Sequence, residues 1–258
     1  MKKIKLLLII TIMIFASSIF AVDKNLTAEK MLQDFVNSYN QKCKPKNEIL
    51  FGFEVDAGKS GIWTIHATPD AGAVLKKGKP EKPTIMMFTD MKTLKNIHSG
   101  KMNFLTAVGR AHITDPAPLN FRFMKGAVPN PAVIYGNLPF LFHFFNRGSP
   151  EIIPFGEEHS RFIHGGNAVP IYYDEGLRTA WYQVKKGMVI NKEERDQKNP
   201  FPTLIICIQG AAKAKLGDKE LELKKGMSVF IPAGMTHTIW NENKEPFEFI
   251  IVMFGEGA

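Results

Sequence analysis

The stretch GMSVFIPAGMTHTIWN, Gly226 to Asn241, constrains this chain more than any other, with its spacing G-x5-P-x-G-x2-H-x3-N. Gly226 ends a turn after LELKK, and SVFI reads as a strand. Pro232-Ala233-Gly234 then turns the chain so that His237 enters the next strand. Before it, AKAKLGDKELEL reads as a hairpin turning at Gly217-Asp218, and after it FEFIIVMF reads as a closing strand. Short strands with glycine turns run from Ala168 to the end, which predicts a nearly all-β second half.

At every fixed position this stretch matches the second motif of the cupin barrels, so residues 168–258 resemble a cupin domain. The resemblance implies a double-stranded β-helix, or jelly roll. It also implies a metal held by the counterpart of His237 together with two His and a Glu from a first motif, G-x5-H-x-H-x3,4-E-x6-G. Anchored on Gly210, that pattern puts Thr203 at the Glu position and Gln197 and Asn199, or Asp196 and Lys198, at the His positions. Anchored on Gly187, it gives Glu193 and Arg195. Neither register yields a histidine, and the mismatch points to extra residues in NKEERDQKNP.

A catalytic zinc or iron site takes about three protein ligands. Here His237 has at most Glu193 or Asp196 beside it, so no cofactor is expected, a divalent metal at His237 being the alternative. His159 and His164 lie outside the motif at a spacing that is not a ligand pattern. A barrel without metal has two uses. It could bind an organic ligand through His237, Gln209 and Cys207 with Tyr182 and Trp240 as walls, since alternation from Thr203 puts Cys207 and Gln209 inside. Otherwise it is an oligomerisation module that forms a homodimer, with His237 a satisfied core histidine.

The first half of the chain is mixed α+β. LTAEKMLQDFVNSYNQ has an N-cap in Thr27 and apolar residues Met31, Leu32, Phe35, Val36 and Tyr39 at helical spacing. EILFGFEVD, GIWTIHATP and PTIMMFTD read as strands, and DMKTLKNIHSG as a helix capped by Asp90 and stopped by Gly100. In TDMKTLKNIHSGKMNFLTAVGRAHITD a capped helix leads to Ser99-Gly100-Lys101, a small apolar helix follows, and Gly109-Arg110 opens a last strand. On these residues, 26–147 resembles the sterol-carrier-protein type of lipid-binding domain. That resemblance implies a twisted antiparallel sheet backed by helices around an apolar tunnel for acyl chains or sterols. The stretch NLPFLFHFF is apolar all round: Leu138, Leu141, Phe142 and Phe145 share one helical face, and Phe140 and Phe144 another. Such a helix lines a ligand cavity, meets a membrane, or is buried against the second domain. Leu141, Phe142 and Phe145 are therefore candidate ligand contacts. A linker is expected at 148–167.

The AGKSG of Ala57–Gly61 ends like a phosphate loop but has Phe53 where the first Gly belongs, and a strand follows it, so it reads as a hairpin turn. His66, His98 and His112 stand apart, each a surface or hydrogen-bonded histidine rather than a ligand. Two cysteines, Cys43 and Cys207, permit a disulfide that spacing alone does not establish.

Residues 1–21 carry Lys2, Lys3 and Lys5, the apolar run LLLIITIMIF and the small residues of ASSIFA, the order of a cleaved signal peptide. The expected location is periplasmic or secreted, an uncleaved membrane anchor being the alternative. Cleavage removes three lysines and lowers the formal net charge from +8 to +5. The remaining lysines are scattered with no interleaved aromatics, so nucleic acid is not an expected partner. A basic exported surface favours anionic headgroups and hence membrane-surface contact. The chain is thus expected to be a non-enzymatic, exported binding protein for a lipid or other hydrophobic small molecule. The alternative is a cupin isomerase, lyase or oxygenase using His237 with a carboxylate of the charged loop.

Overall fold

The computed structural model describes residues 26–112, 114–124, 140–146 and 152–258. The expected signal peptide, Leu138 and the first residues of the expected linker lie outside the described residues. Among the described residues, no helix is long and apolar enough to cross a membrane.

Helix α1 (Ala28–Lys42) starts where the sequence predicts: Thr27 Oγ1 accepts from the Lys30 amide at 3.2 Å, and Met31, Leu32, Phe35, Val36 and Tyr39 form its buried face. It lies across a five-stranded sheet of β1 (Ile49–Val55), β2 (Gly61–Thr68), β3 (Gly72–Lys77), β4 (Ile85–Thr89) and β5 (Leu119–Phe123). The strand order is β3-β2-β1-β4-β5, with β1 and β4 parallel and the other pairs antiparallel. AGKSG closes the β1–β2 hairpin, with Asp56 and Ala57 in the left-handed region at φ 53° and 52°. Helix α2 (Met91–His98) is capped by Asp90, whose Oδ1 accepts from the Thr93 amide at 2.6 Å. Helix α3 (Phe104–Val108) follows, capped by Asn103.

Two elements differ from the sequence expectation. Gly109-Arg110 opens no strand; the chain turns instead, with the His112 amide on Asp115 Oδ2 and the Asp115 amide on His112 O, both at 2.9 Å. The last strand, β5, begins only beyond Pro116 and Pro118, which have no amide to donate to a ladder. Strand β3 went unread because only Gly72 and Ala73 are buried in it, so it carries no alternation.

Residues 140–145 are helical and fill the core of this sheet rather than covering a tunnel. Phe140, Leu141, Phe142, Phe144 and Phe145 are each 6% exposed or less. Phe145 stacks on Phe104 at 5.0 Å, and Phe144 meets Phe51 edge-on at 5.7 Å. The pocket beside Phe142 and Phe145 measures about 70 Å³, room for two waters at about 30 Å³ each. Leu141, Phe142 and Phe145, expected to touch a ligand, are packed as core residues.

The second half holds two facing sheets. One has the order β13-β10-β15-β8-β7-β6 and the other β12-β11-β14-β9. Their strands are β6 (Arg161–Ile163), β7 (Gly166–Asp174), β8 (Leu177–Val184), β9 (Val189–Ile190) and β10 (Thr203–Gln209), followed by β11 (Ala211–Leu216), β12 (Lys219–Lys224), β13 (Ser228–Ile231), β14 (His237–Trp240) and β15 (Phe247–Phe254). The expected linker thus already contains β6 and the start of β7. The β11–β12 hairpin turns where expected, with Gly217 at φ 58° and Asp218 not left-handed, as a type II′ turn requires. Between the sheets, Val184, Ile205, Cys207, Ala212, Ala214, Ile231, Ile239, Phe247 and Phe249 pack into a core separate from the first. Cys43 packs on the first core and Cys207 in the second, with no disulfide between them.

Phe144 is fully buried against Phe35, Tyr39, Phe51, Phe140 and Phe145. Phe144→Ala is predicted to lower the unfolding free energy by about 3–5 kcal/mol. Phe162→Ala, at a side chain 64% exposed, is predicted to change it by less than about 0.5 kcal/mol. Urea unfolding of the two variants checks this; equal effects would mean that residues 140–145 are not core.

Candidate functional site

The inside of the barrel holds the histidine of the G-x5-P-x-G-x2-H-x3-N stretch. His237 is buried there, and its Nδ1 lies 3.2 Å from Met235 O. A carbonyl only accepts, so Nδ1 carries the proton and Nε2 the lone pair. Desolvation lowers the pKa of this imidazole, partly offset by the Met235 carbonyl. Among the described residues, the group of three possible metal ligands does not include His237. The backbone carbonyl of Gln197 accepts from the His237 amide at 2.8 Å while its Nε2 donates to Lys192 O at 3.4 Å, and Asn199 Nδ2 donates to the buried Thr203 hydroxyl at 3.1 Å. These neutral groups do not fit the one-carboxylate, three-imidazole set that the cupin resemblance implies.

Other expected barrel contacts are redistributed. A β-bulge between Cys207 and Gln209 shifts the register, pairing Cys207 with Phe249 and Gln209 with Glu248. Strict alternation is broken there, so Gln209, expected inside, is exposed, while Cys207 stays inside. Burial raises the Cys207 thiol to about 11 and makes it inert. Along β14, His237 and Ile239 point inward, which sends Trp240 to the outer face, where its Nε1 donates to Glu242 at 3.2 Å. Trp240 is therefore not a barrel wall. Tyr182 does lie against the barrel core, its ring stacked on Phe249 at 5.5 Å and 7°.

A larger space lies at the junction of the two halves: a cleft of about 570 Å³. Four segments line it, namely the stretch after α3 (residues 109–112 with Asp115 and Pro116), the β6–β7 hairpin, the β8–β9 turn, and the loop from Lys192 to Asp196. Two anchors hold the junction. Arg161 Nη1 donates to the carbonyls of Thr106, Ala107 and Gly109 at 2.7, 3.1 and 2.8 Å. Asn103 caps α3 through Oδ1 and donates through Nδ2 to Pro170 O at 2.8 Å.

Within the cleft, residues from both halves meet. His112 Nε2 lies 3.5 Å from Asp196 Oδ2 and 4.0 Å from Glu193 Oε2. Arg195 holds that same Glu193 oxygen at 2.8 Å through Nη2 and 2.9 Å through Nε. His164 sits at the β6–β7 turn at φ 53°, followed by Gly165 at φ 87°, the two left-handed residues of a two-residue hairpin. Its Nδ1 is buried with no hydrogen-bond partner. Desolvation lowers its pKa, helped by His112 and opposed by Asp196 and Asp115.

The two carboxylates expected beside His237 thus converge on His112 instead. His66 and His98 behave as expected, paired with Glu48 at 2.7 Å and Asp34 at 2.9 Å, and His159 Nδ1 meets Lys101 O at 2.8 Å. His112 and His164 are the site residues that sequence reasoning passed over. The charged insertion NKEERDQKNP was the available signal, but its partner lies in the other half of the chain.

The buried imidazole of His237 has a measurable consequence. An unfolded histidine titrates near 6.5, and the folded one lower, so below about pH 6.5 the unfolded state binds the extra proton. Stability is predicted to fall as pH drops below that value, and His237→Gln to flatten the dependence. Urea unfolding at several pH values between about 8 and 5 tests it; an unchanged slope in the variant would remove His237 as a source.

Residues 180–253 match the family model described as the cupin domain, which places a cupin domain in the C-terminal part of the chain. No curated protein matches the chain by sequence. Similar solved structures include a Cupin 2 conserved barrel domain protein from Salinispora arenicola, 18% identical, covering 42% of this chain and 91% of its own with a TM-score of 0.37. An RmlC-like cupin family protein with a double-stranded β-helix fold from Methanocaldococcus jannaschii is 20% identical, over 41% of this chain and 94% of its own, TM-score 0.33. A predicted oxalate decarboxylase from Thermotoga maritima is 15% identical, over 34% of this chain and 79% of its own, TM-score 0.32.

Proposed function

We propose that this chain, whose C-terminal part is a cupin domain, is an exported, non-enzymatic binding protein that holds a small molecule in the cleft between its two halves. One observation carries the reading: the junction leaves about 570 Å³ open, while the residues expected to line a ligand elsewhere are packed in the two cores or, like Gln209 and Trp240, turned outward. Ligand sites usually span about 300–1,000 Å³ and favour domain junctions.

The lining sets the ligand's chemistry. Phe162, Ile163, Met188 and Val189 supply apolar contacts, and His112, His164 and Asp196 polar ones, beside the cations Arg110, Lys192 and Arg195. The best fit is a small molecule with an apolar body and a polar head. A sterol or long acyl chain fits the sterol-carrier-type resemblance, which rests on sequence alone, but the packed aromatic core weighs against it. A cupin enzyme built on His237 has against it the loss of both candidate carboxylates to His112. Export rests on residues 1–21, and membrane-surface contact on the basic charge. For the homodimer, the supporting feature is the outer face of edge strand β13 and its neighbours, where Ile206, Phe230 and Phe254 are exposed.

Native mass spectrometry of the mature protein from an exporting host tests the reading. A small-molecule adduct, lost on denaturation, is expected in the wild type and in His237→Gln, and absent in Ala111→Trp, which fills the cleft. Loss in His237→Gln with retention in Ala111→Trp would move the site to the barrel. No adduct, together with no thermal shift from a panel of small amphiphilic acids and amines, would overturn the binding role.

A further inference from the structure

We propose that His112, Glu193 and Asp196 form a divalent transition-metal site that ties the first half of the chain to the cupin domain. The inference uses the same cleft as the proposed ligand site but does not depend on an organic ligand.

The three groups are the set among the described residues whose ligand atoms all lie within 4.8 Å of one another, and the set does not include His237. A tetrahedral ion with bonds of about 2.0–2.2 Å spaces its ligand atoms about 3.3–3.6 Å apart. The His112–Asp196 separation of 3.5 Å already has that value, and the His112–Glu193 separation of 4.0 Å needs a small closure. The closure falls on the most exposed member: the Glu193 side chain is 62% exposed, against 21% for His112 and 12% for Asp196.

The other two are held by backbone bonds. The turn closed by Asp115 fixes the His112 main chain, and the Asp196 amide donates to Glu193 O at 2.9 Å within a 3-10 turn. Arg195 competes for Glu193, but it is 63% exposed, and a solvent-facing ion pair of this kind is a weak competitor.

The donor set selects the metal. One imidazole and two carboxylates suit zinc or manganese, whereas calcium takes six to eight oxygens. A second observation points the same way. His164 Nδ1 is buried without a partner in the same cleft, and the side chain interacts electrostatically with both His112 and Asp196. It is not one of the three groups that come within 4.8 Å of one another, so its place in the site is beside the ion, facing a water bound to it, and not among the ligands. A metal here sits outside the barrel and draws ligands from both halves, so binding it stabilises their closed arrangement.

The test is calorimetric titration of ZnCl2 into tag-free, EDTA-treated, full mature chain, with CaCl2 as control. The expected result is one zinc per chain with a rise in Tm, and little response to calcium. His112→Ala and Asp196→Asn should each weaken zinc binding at least tenfold and abolish the Tm rise, while keeping the wild-type circular dichroism spectrum; His237→Gln should bind normally. No zinc binding by the wild type, binding unchanged in both cleft variants, or binding lost in His237→Gln would each overturn the site. Should either cleft variant lose its fold, Glu193→Gln at the exposed position replaces it, with a several-fold weakening expected and an unchanged affinity counting against the proposal. The ligand reading fails separately, since zinc that binds while the wild type carries no small-molecule adduct leaves the metal site standing alone.

Discussion

The guanidinium of Arg161 on the carbonyl end of α3 is the contact on which the arrangement of this molecule depends. A helix of five residues leaves most of its carbonyls without intrahelical partners, and buried carbonyls must find donors. Arg161, at the start of β6, donates to two of them, Thr106 and Ala107, and to the carbonyl of the capping Gly109. Desolvation lowers its pKa, yet a guanidinium stays charged, and charge-assisted bonds are the strong ones. Asn103 does the matching work at the other end, capping α3 and bonding Pro170 in β7. Gly109 completes the close approach, since a Cβ there would meet Ile163 Cδ1 at 2.7 Å. The two halves are therefore locked through one short helix, and the chain leaving that helix forms one wall of the cleft.

Two filled cores push the open space to this junction. The first is unusually aromatic, with rings of Phe35, Phe51, Phe53, Phe104, Phe144 and Phe145 in edge and stacked contact. The second is mainly aliphatic, with Phe247 and Phe249 at its centre. Close packing of this kind leaves few voids larger than a water molecule. The polar residues that the cores exclude, His112, His164, Glu193 and Asp196, gather where the two surfaces meet.

Several elements were legible because their signals are local. Thr27 and Asp90 cap their helices, Gly217 turns its hairpin, and His237 faces inward, each through residues within a few positions. Where the local rule was interrupted, the reading slipped. The bulge after Cys207 turned Gln209 outward, Trp240 fell on the outer face of β14, and the prolines before Leu119 delayed the last strand of the first sheet. The NLPFLFHFF stretch was legible as needing burial, but not as to what would bury it.

By itself the sequence determined the cupin barrel and the position of His237 within it. Spacing along one strand suffices for such statements. Only the tertiary structure decided where His112 and His164 belong and what Glu193 and Asp196 face. Their encounter depends on how α3 docks against β6 and β7, and no periodicity along the chain encodes a contact made by folding two distant segments onto one another.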